Sequence, residues 1–135
     1  MKRKVLVLGS TGMIGHQVYM HLEQSGEYEL FNFSFRNKLN NQTIIIDVTK
    51  NEQEFFQEIK KIRPDLIINC IGILIEESDA DKIRAIQLNA LLPHKLARLA
   101  DSINSKLLHM STDCVFSGKS KRYNINLSFI GIGNH

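Results

Sequence analysis

The stretch Lys4-Val5-Leu6-Val7-Leu8-Gly9-Ser10-Thr11-Gly12-Met13-Ile14-Gly15 decides the fold. Val5 to Leu8 is a continuous apolar run ending in glycine, which suits a strand covered on both faces in a parallel sheet; a strand with one wet face would alternate. From Ile14 the period becomes helical. Ile14, Val18 and Leu22 recur every four residues, and Gly26 is placed to terminate the helix.

Outward from this unit the alternation continues. A second strand is expected over about Tyr28 to Phe35, and Arg36 to Gln42 is polar and loop-like. The β-branched run Thr43-Ile44-Ile45-Ile46 predicts a third strand closed by Asp47. Thr49 and Glu52 fit a capping box that opens a helix with Phe55, Phe56, Ile59 and Ile62 on one face; Arg63-Pro64-Asp65 ends it. Leu66 to Ile71 reads as a fourth strand. After a loop through Gly72 to Ser78, Ile83, Ile86, Ala90, Leu92, Leu96, Leu99 and Ile103 keep helical spacing across an expected kink at Pro93. Lys106 to Ser111 is the fifth strand. The pattern predicts an α/β fold: a doubly wound, Rossmann-type parallel sheet with right-handed crossovers and helices on both faces. A further helix and a sixth strand are due, and Gly118 to His135 offers neither, so the fold is expected to be incomplete. The chain divides at this stage into residues 1–118, a dinucleotide-binding domain, and 119–135, an atypical basic tail.

Composition fits one domain or part of one. The chain has 135 residues, 43% hydrophobic and 23% charged, enough to form a core without a disulfide or metal staple. Its net charge of +3 resides in the tail, where Lys119, Lys121 and Arg122 stand without an acid. The balanced body argues against a nucleic-acid partner. The apolar run Leu66 to Ile75 is half of what a bilayer span requires, and the run behind Lys2-Arg3-Lys4 is too short for a signal peptide, so a cytoplasmic protein without a membrane partner is expected. Cys70 and Cys114 sit in apolar stretches without metal-ligand spacing; both are expected reduced and buried, with no metal site.

Chemistry concentrates at the glycine turn. A turn without side chains lets backbone approach a pyrophosphate, and the helix N-terminus offers free N–H groups and a favourable dipole. Gly9, Ser10, Thr11, Gly12, Met13, Ile14 and Gly15 are therefore candidate cofactor contacts, against the alternative of a plain βα turn. An NAD site usually places an acid at the end of the second strand; this chain has Phe33-Ser34-Phe35-Arg36 instead. Ser34 and Arg36 could hold a 2′-phosphate, which favours NADP(H) over NAD(H), or Arg36 could be a solvated loop residue. Asp47, with Val48, is placed to meet the adenine or to cap the following turn. Cys70, Ile71 and Gly72 lie where a cofactor ribose would approach, and Asn89 stands among apolar neighbours in the long helix.

The spacing Gly-x-x-Gly-x-x-Gly resembles the extended short-chain dehydrogenase/reductases. Together with Asn69-Cys70-Ile71-Gly72, the segment Ser111-Thr112-Asp113-Cys114-Val115-Phe116-Ser117-Gly118 resembles the sugar-nucleotide reductases related to dTDP-4-dehydrorhamnose reductase. The likeness runs from about Lys4 to Gly118, the cofactor half of a family member. It implies that Thr112 is the catalytic hydroxyl bonded to the reacting sugar oxygen, that Ser111 and Asp113 flank it toward a nucleotide-linked sugar substrate, and that Asn89 supports the active-site strand. The alternative for Ser111 and Thr112 is a strand-end cap, and for Asn89 a satisfied core amide. The family's Tyr-x-x-x-Lys pair is not present: Tyr19, Tyr28 and Tyr123 are followed four residues later by Glu23, Asn32 and Leu127. In relatives that tyrosine falls at or just past the position of His135, so a truncated chain is expected. Epimerases, dehydratases and a non-catalytic regulatory subunit such as the partner of methionine adenosyltransferase share this fold, and assembly into a homo-oligomer is compatible with all of them.

Overall fold

The computed structural model describes residues 1–111. The candidates Thr112, Asp113 and Cys114, and the tail, lie outside the described residues. Five parallel strands, β1 (Arg3–Leu8), β2 (Tyr28–Ser34), β3 (Ile44–Ile45), β4 (Leu66–Asn69) and β5 (Lys106–His109), form one sheet in the order β3-β2-β1-β4-β5. The helices are α1 (Met13–Ser25), α2 (Glu52–Ile62), α3 (Ile75–Ala80), α4 (Lys82–Ala85) and α5 (Leu92–Ser102). This is the doubly wound Rossmann arrangement the alternation predicts.

Val5, Leu6, Val7 and Leu8 are all buried because β1 is covered on both faces. Leu6 and Leu8 join Phe33, Ile67, Phe55, Ile59, Leu96 and Leu99 in the core beneath α2 and α5. Val5 and Val7 alternate to the other face, where α1 packs on β1 and β2 and Tyr19 is buried. Phe33 and Phe55 tie β2 to α2 edge to face, with centroids 5.6 Å apart.

Helix ends follow backbone chemistry. Gly26 closes α1 at φ 65°, donating to the Glu23 carbonyl. Arg63 closes α2 at φ 48°, because Pro64 disfavours right-handed helical backbone in the residue before it.

Several boundaries differ from the sequence expectation. The third strand is only Ile44–Ile45, because the pairing with β2 stops when Phe33 and Ser34 have been used. The fourth ends at Asn69, where the Asn69 side chain accepts the Ile71 N–H and turns the chain. The fifth ends at His109, although the Met110 N–H still donates to the Asn69 carbonyl. Thr49 does not cap α2. Asn51 holds that position, and the Thr49 hydroxyl donates to Asp47 Oδ1 instead, at 2.7 Å. Helix resumes earlier than expected, at α3. The discontinuity near Pro93 lies ahead of it, in a π-helical segment over Ile86–Leu91, where the Leu92 N–H reaches back to the Gln87 carbonyl; proline has no N–H to continue the tighter ladder. Cys70 is half-buried rather than buried, since β4 ends just before it.

Among the described residues no helix is long and apolar enough to cross a membrane, and no cluster of His, Cys, Asp and Glu could hold a metal ion.

Candidate functional site

Growth of the sheet reverses at β1, which lies between β2 and β4, and the loops leaving these strands part to form a crevice at their carboxyl ends. The glycine turn builds its floor. The Phe33 carbonyl accepts the N–H groups of both Gly9 and Ser10, at 3.0 and 3.1 Å, and the Gly12 N–H closes the turn on the Gly9 carbonyl.

Each glycine of the motif has a separate reason. Gly9 has φ 77°, and a Cβ there would stand 3.1 Å from the Cys70 backbone. At Gly15 a Cβ would fall 2.0 Å from the Gly9 oxygen, so only glycine lets α1 pass beneath the turn. Gly12 is neither strained nor crowded: a Cβ there meets only the Gly9 oxygen, at 3.4 Å, and Gly12 lines the cavity. A Cβ there would enter open cavity space and not packed backbone.

α1 begins at that space without a side-chain cap and without an acid in its first turn. Its free N–H groups and positive dipole end are left for an anion, so the residues present fit a pyrophosphate.

The cavity has a volume of about 280 Å³. Gly9, Thr11, Gly12, Ser34, Arg36, Asp47, Val48, Cys70, Ile71 and Gly72 all line it, so four separate loops bring these candidates together. Ser10, Met13, Ile14, Gly15 and Asn89 are not among its lining residues. Ser10 is fully buried below the turn, its hydroxyl donating to Asn32 Oδ1 at 2.9 Å. Met13 and Ile14 are exposed on the first turn of α1. Asn89 acts on the rim through backbone: its Oδ1 accepts the Ile73 N–H and its Nδ2 donates to the Ile73 carbonyl. Ser111 is exposed just beyond β5. A smaller hollow of about 110 Å³ lies beside Glu52 and Lys95, which pair with each other.

Ser34 is buried, and its hydroxyl donates to the Asn37 carbonyl, tightening the loop that carries Arg36. The same loop is anchored by Asn40, whose Nδ2 donates to Tyr19 Oη at 2.9 Å and whose Oδ1 accepts from Asn32. A polar chain, buried at Ser10 and Asn32 and half-buried at Asn40, thus joins the glycine turn to the loop after β2. Asp47 both lines the cavity and organises a turn, accepting the Thr49 N–H and hydroxyl. Burial alone would raise its pKa, but those bonds and the nearby Arg84 guanidinium outweigh it and hold the carboxyl below its ordinary value. Burial raises the Cys70 pKa, so it stays a thiol at neutral pH. The sequence reading did not include Arg84, Phe35 or Glu77 among the cavity residues: Phe35 reads as the end of the second strand, and a helical period places apolar faces, not the charged Glu77 and Arg84.

An open parallel sheet with a glycine turn, an uncapped helix N-terminus and a cavity at the switch point defines a Rossmann-type fold with a candidate nucleotide site. The chain belongs to the RmlD substrate binding domain family, whose pattern it matches over residues 3–126. It is 30% identical over 122 residues to the dTDP-4-dehydrorhamnose reductase of Aggregatibacter actinomycetemcomitans, covering 89% of this chain and 38% of that one. It is 29% identical over 125 residues to methionine adenosyltransferase 2 subunit beta of Rattus norvegicus, covering 90% of this chain and 36% of that one. Among solved structures it is similar to a dTDP-4-dehydrorhamnose reductase of Bacillus anthracis in complex with NADP (TM-score 0.74, 27% identity, 90% of this chain and 40% of that one). A hypothetical dTDP-4-dehydrorhamnose reductase of Sulfolobus tokodaii superposes with a TM-score of 0.80 at 26% identity, over 93% of this chain and 44% of that one. The chain thus spans less than half the length of these relatives.

Proposed function

We propose that this chain forms the NADP(H)-binding part of a cytoplasmic reductase that acts on a nucleotide-linked keto sugar. The observation that carries the reading is Gly12, where the missing Cβ opens the cavity at the uncapped start of α1. In this reading the free N–H groups at the start of α1, behind the Gly9–Gly15 turn and with Thr11 beside them, bind the pyrophosphate. Asp47 and Val48 meet the adenine, Ser34 and Arg36 the 2′-phosphate, and Cys70, Ile71 and Gly72 the ribose nearer the nicotinamide. The bound cofactor supplies a hydride.

Thr112 hydrogen-bonds the sugar carbonyl oxygen, with Ser111 and Asp113 beside the substrate. Asn89 holds the rim loop in place. We assign residues 1–118 to the cofactor unit and leave 119–135 out of it. No Tyr-x-x-x-Lys pair lies in these 135 residues, so the polypeptide is expected to bind NADPH without turning over a sugar nucleotide.

Calorimetry with NADPH and NADH tests the first half of this reading, and NADPH absorbance with dTDP- and UDP-linked keto sugars tests the second. The second arm compares the chain alone with a version extended by a relative's C-terminal half. Activity only after extension, lost on Thr112→Val, supports the reading; absence of dinucleotide binding by the folded chain refutes it. The likeness to methionine adenosyltransferase 2 subunit beta favours one rival, a nucleotide-binding regulatory subunit. That rival predicts binding without turnover even after extension.

A further inference from the structure

Arg84 lies on α4, 37 residues beyond Asp47, yet its guanidinium lines the same cavity. Its Nη1 donates to Thr49 Oγ1 at 2.8 Å and lies 3.5 Å from Asp47 Oδ2. Its Cζ stands 4.7 Å from the centroid of the Phe35 ring, and the Cζ of Arg36 stands 4.6 Å from the same centroid. One aromatic ring therefore gathers two cations. Among the described residues only one carboxylate, Asp47, pairs with either of them. Glu77, the other acid lining the cavity, pairs with neither.

Two guanidinium groups held over one ring repel each other, and a single carboxylate leaves one positive charge unbalanced. A dianion would reverse that cost, and a phosphate monoester carries close to two negative charges at neutral pH. The two cations are not equivalent. Arg36 is exposed on its loop, where solvent screens it. The Arg84 side chain is only 25% exposed and is pinned by Thr49, Asp47 and Phe35, so little side-chain entropy remains to be lost when it binds. Those contacts use one nitrogen of the guanidinium. Its other N–H groups are bonded to no acceptor among the described residues.

We propose that Arg84 is a specificity-determining residue of this cavity and that, with Arg36, it takes the ribose 2′-phosphate of NADP, an assignment that rests on the reading of the cavity as a dinucleotide site. Arg84 then couples two contacts at the adenosine end of the cofactor site: it steadies Asp47, placed to meet the adenine, and presents its free edge to the phosphate next to it.

The test is calorimetric titration of the 135-residue chain with 2′,5′-ADP against 5′-AMP, which differ only in the 2′-phosphate, and with NADPH against NADH. Arg84→Gln is expected to weaken 2′,5′-ADP and NADPH by about tenfold or more while moving 5′-AMP and NADH by less than about threefold. Arg84→Lys keeps the charge without the planar fork and should fall between; it carries the same comparison if the glutamine variant does not fold. Equal losses for all four ligands would reduce Arg84 to a prop for Asp47 and Thr49 and overturn the proposal. Dinucleotide binding whose NADPH to NADH ratio is unchanged in both variants overturns the role of Arg84 alone, whereas failure of the wild-type chain to bind either dinucleotide overturns the cofactor reading with it.

Discussion

Asn89 grips both backbone polar groups of Ile73, accepting its N–H at 3.0 Å and donating to its carbonyl at 3.1 Å. A side-chain amide carries an acceptor and a donor side by side on one planar head, the complement of a peptide N–H and C=O. The π-helical segment that carries Asn89 widens the helix where this reach is needed, and a Cβ placed on Gly72 would stand 3.5 Å from Asn89 Oδ1. Asn89→Ala is expected to cost about 0.5 to 1.5 kcal/mol of stability, since the amide is exposed. It should weaken dinucleotide binding through the loosened rim. Asn89→Asp, which keeps the acceptor but loses the donor, should recover part of the loss. Chemical denaturation and calorimetry of the three proteins check the order.

Gly15 and Gly12 should respond differently. A methyl group at Gly15 meets backbone oxygen 2.0 Å away, so Gly15→Ala is expected to cost about 3 kcal/mol or more and to lower the denaturation midpoint sharply. Gly12→Val adds its side chain to the cavity, so its melting should stay near that of the wild type while dinucleotide binding is lost. Equal destabilisation by both would contradict the division between a packing glycine and a ligand glycine.

Arg36→Ala is expected to reduce NADPH affinity selectively, by about 1 kcal/mol, because solvent screens its exposed guanidinium. NADH affinity should hardly change. A parallel loss for the two dinucleotides would remove Arg36 from the 2′-phosphate site.

Stability should fall on mild acidification because of His109. Burial lowers its pKa, and its Nδ1 lies 3.1 Å from Nδ2 of the fully buried Asn69, which favours the neutral ring with Nδ1 as acceptor. The unfolded chain protonates near its ordinary value of about 6.5 while the folded chain resists. The stability is therefore fully present above about pH 6.5 and is lost as the pH falls through the lower folded value. Urea denaturation across this range should show a slope in the wild type that His109→Gln flattens.

Local chemistry along the chain determined most of the fold. The continuous apolar run Val5–Leu8 specifies a doubly covered strand, the periodicity of Phe55 and Ile59 specifies the core face of α2, and Gly26 and Pro64 stop helices by backbone restrictions that need no partner. The glycine turn and the loops after β2, β3 and β4 were legible for the same reason: a parallel sheet brings the carboxyl ends of its strands to one edge. Tertiary structure alone decided which side of that edge each residue serves. Ser10 and Thr11 are neighbours with the same hydroxyl chemistry, yet packing sends Ser10 to Asn32 beneath the turn and leaves Thr11 on the cavity. Thr49 has the spacing of a helix cap, but Asp47 and a guanidinium 35 residues away compete for its hydroxyl and win it. Arg84 itself carries no local mark of a site, because its place over Phe35 comes from the crossover between β4 and β5. Long-range packing of that kind depends on which elements meet, and a one-dimensional pattern records only which faces are apolar.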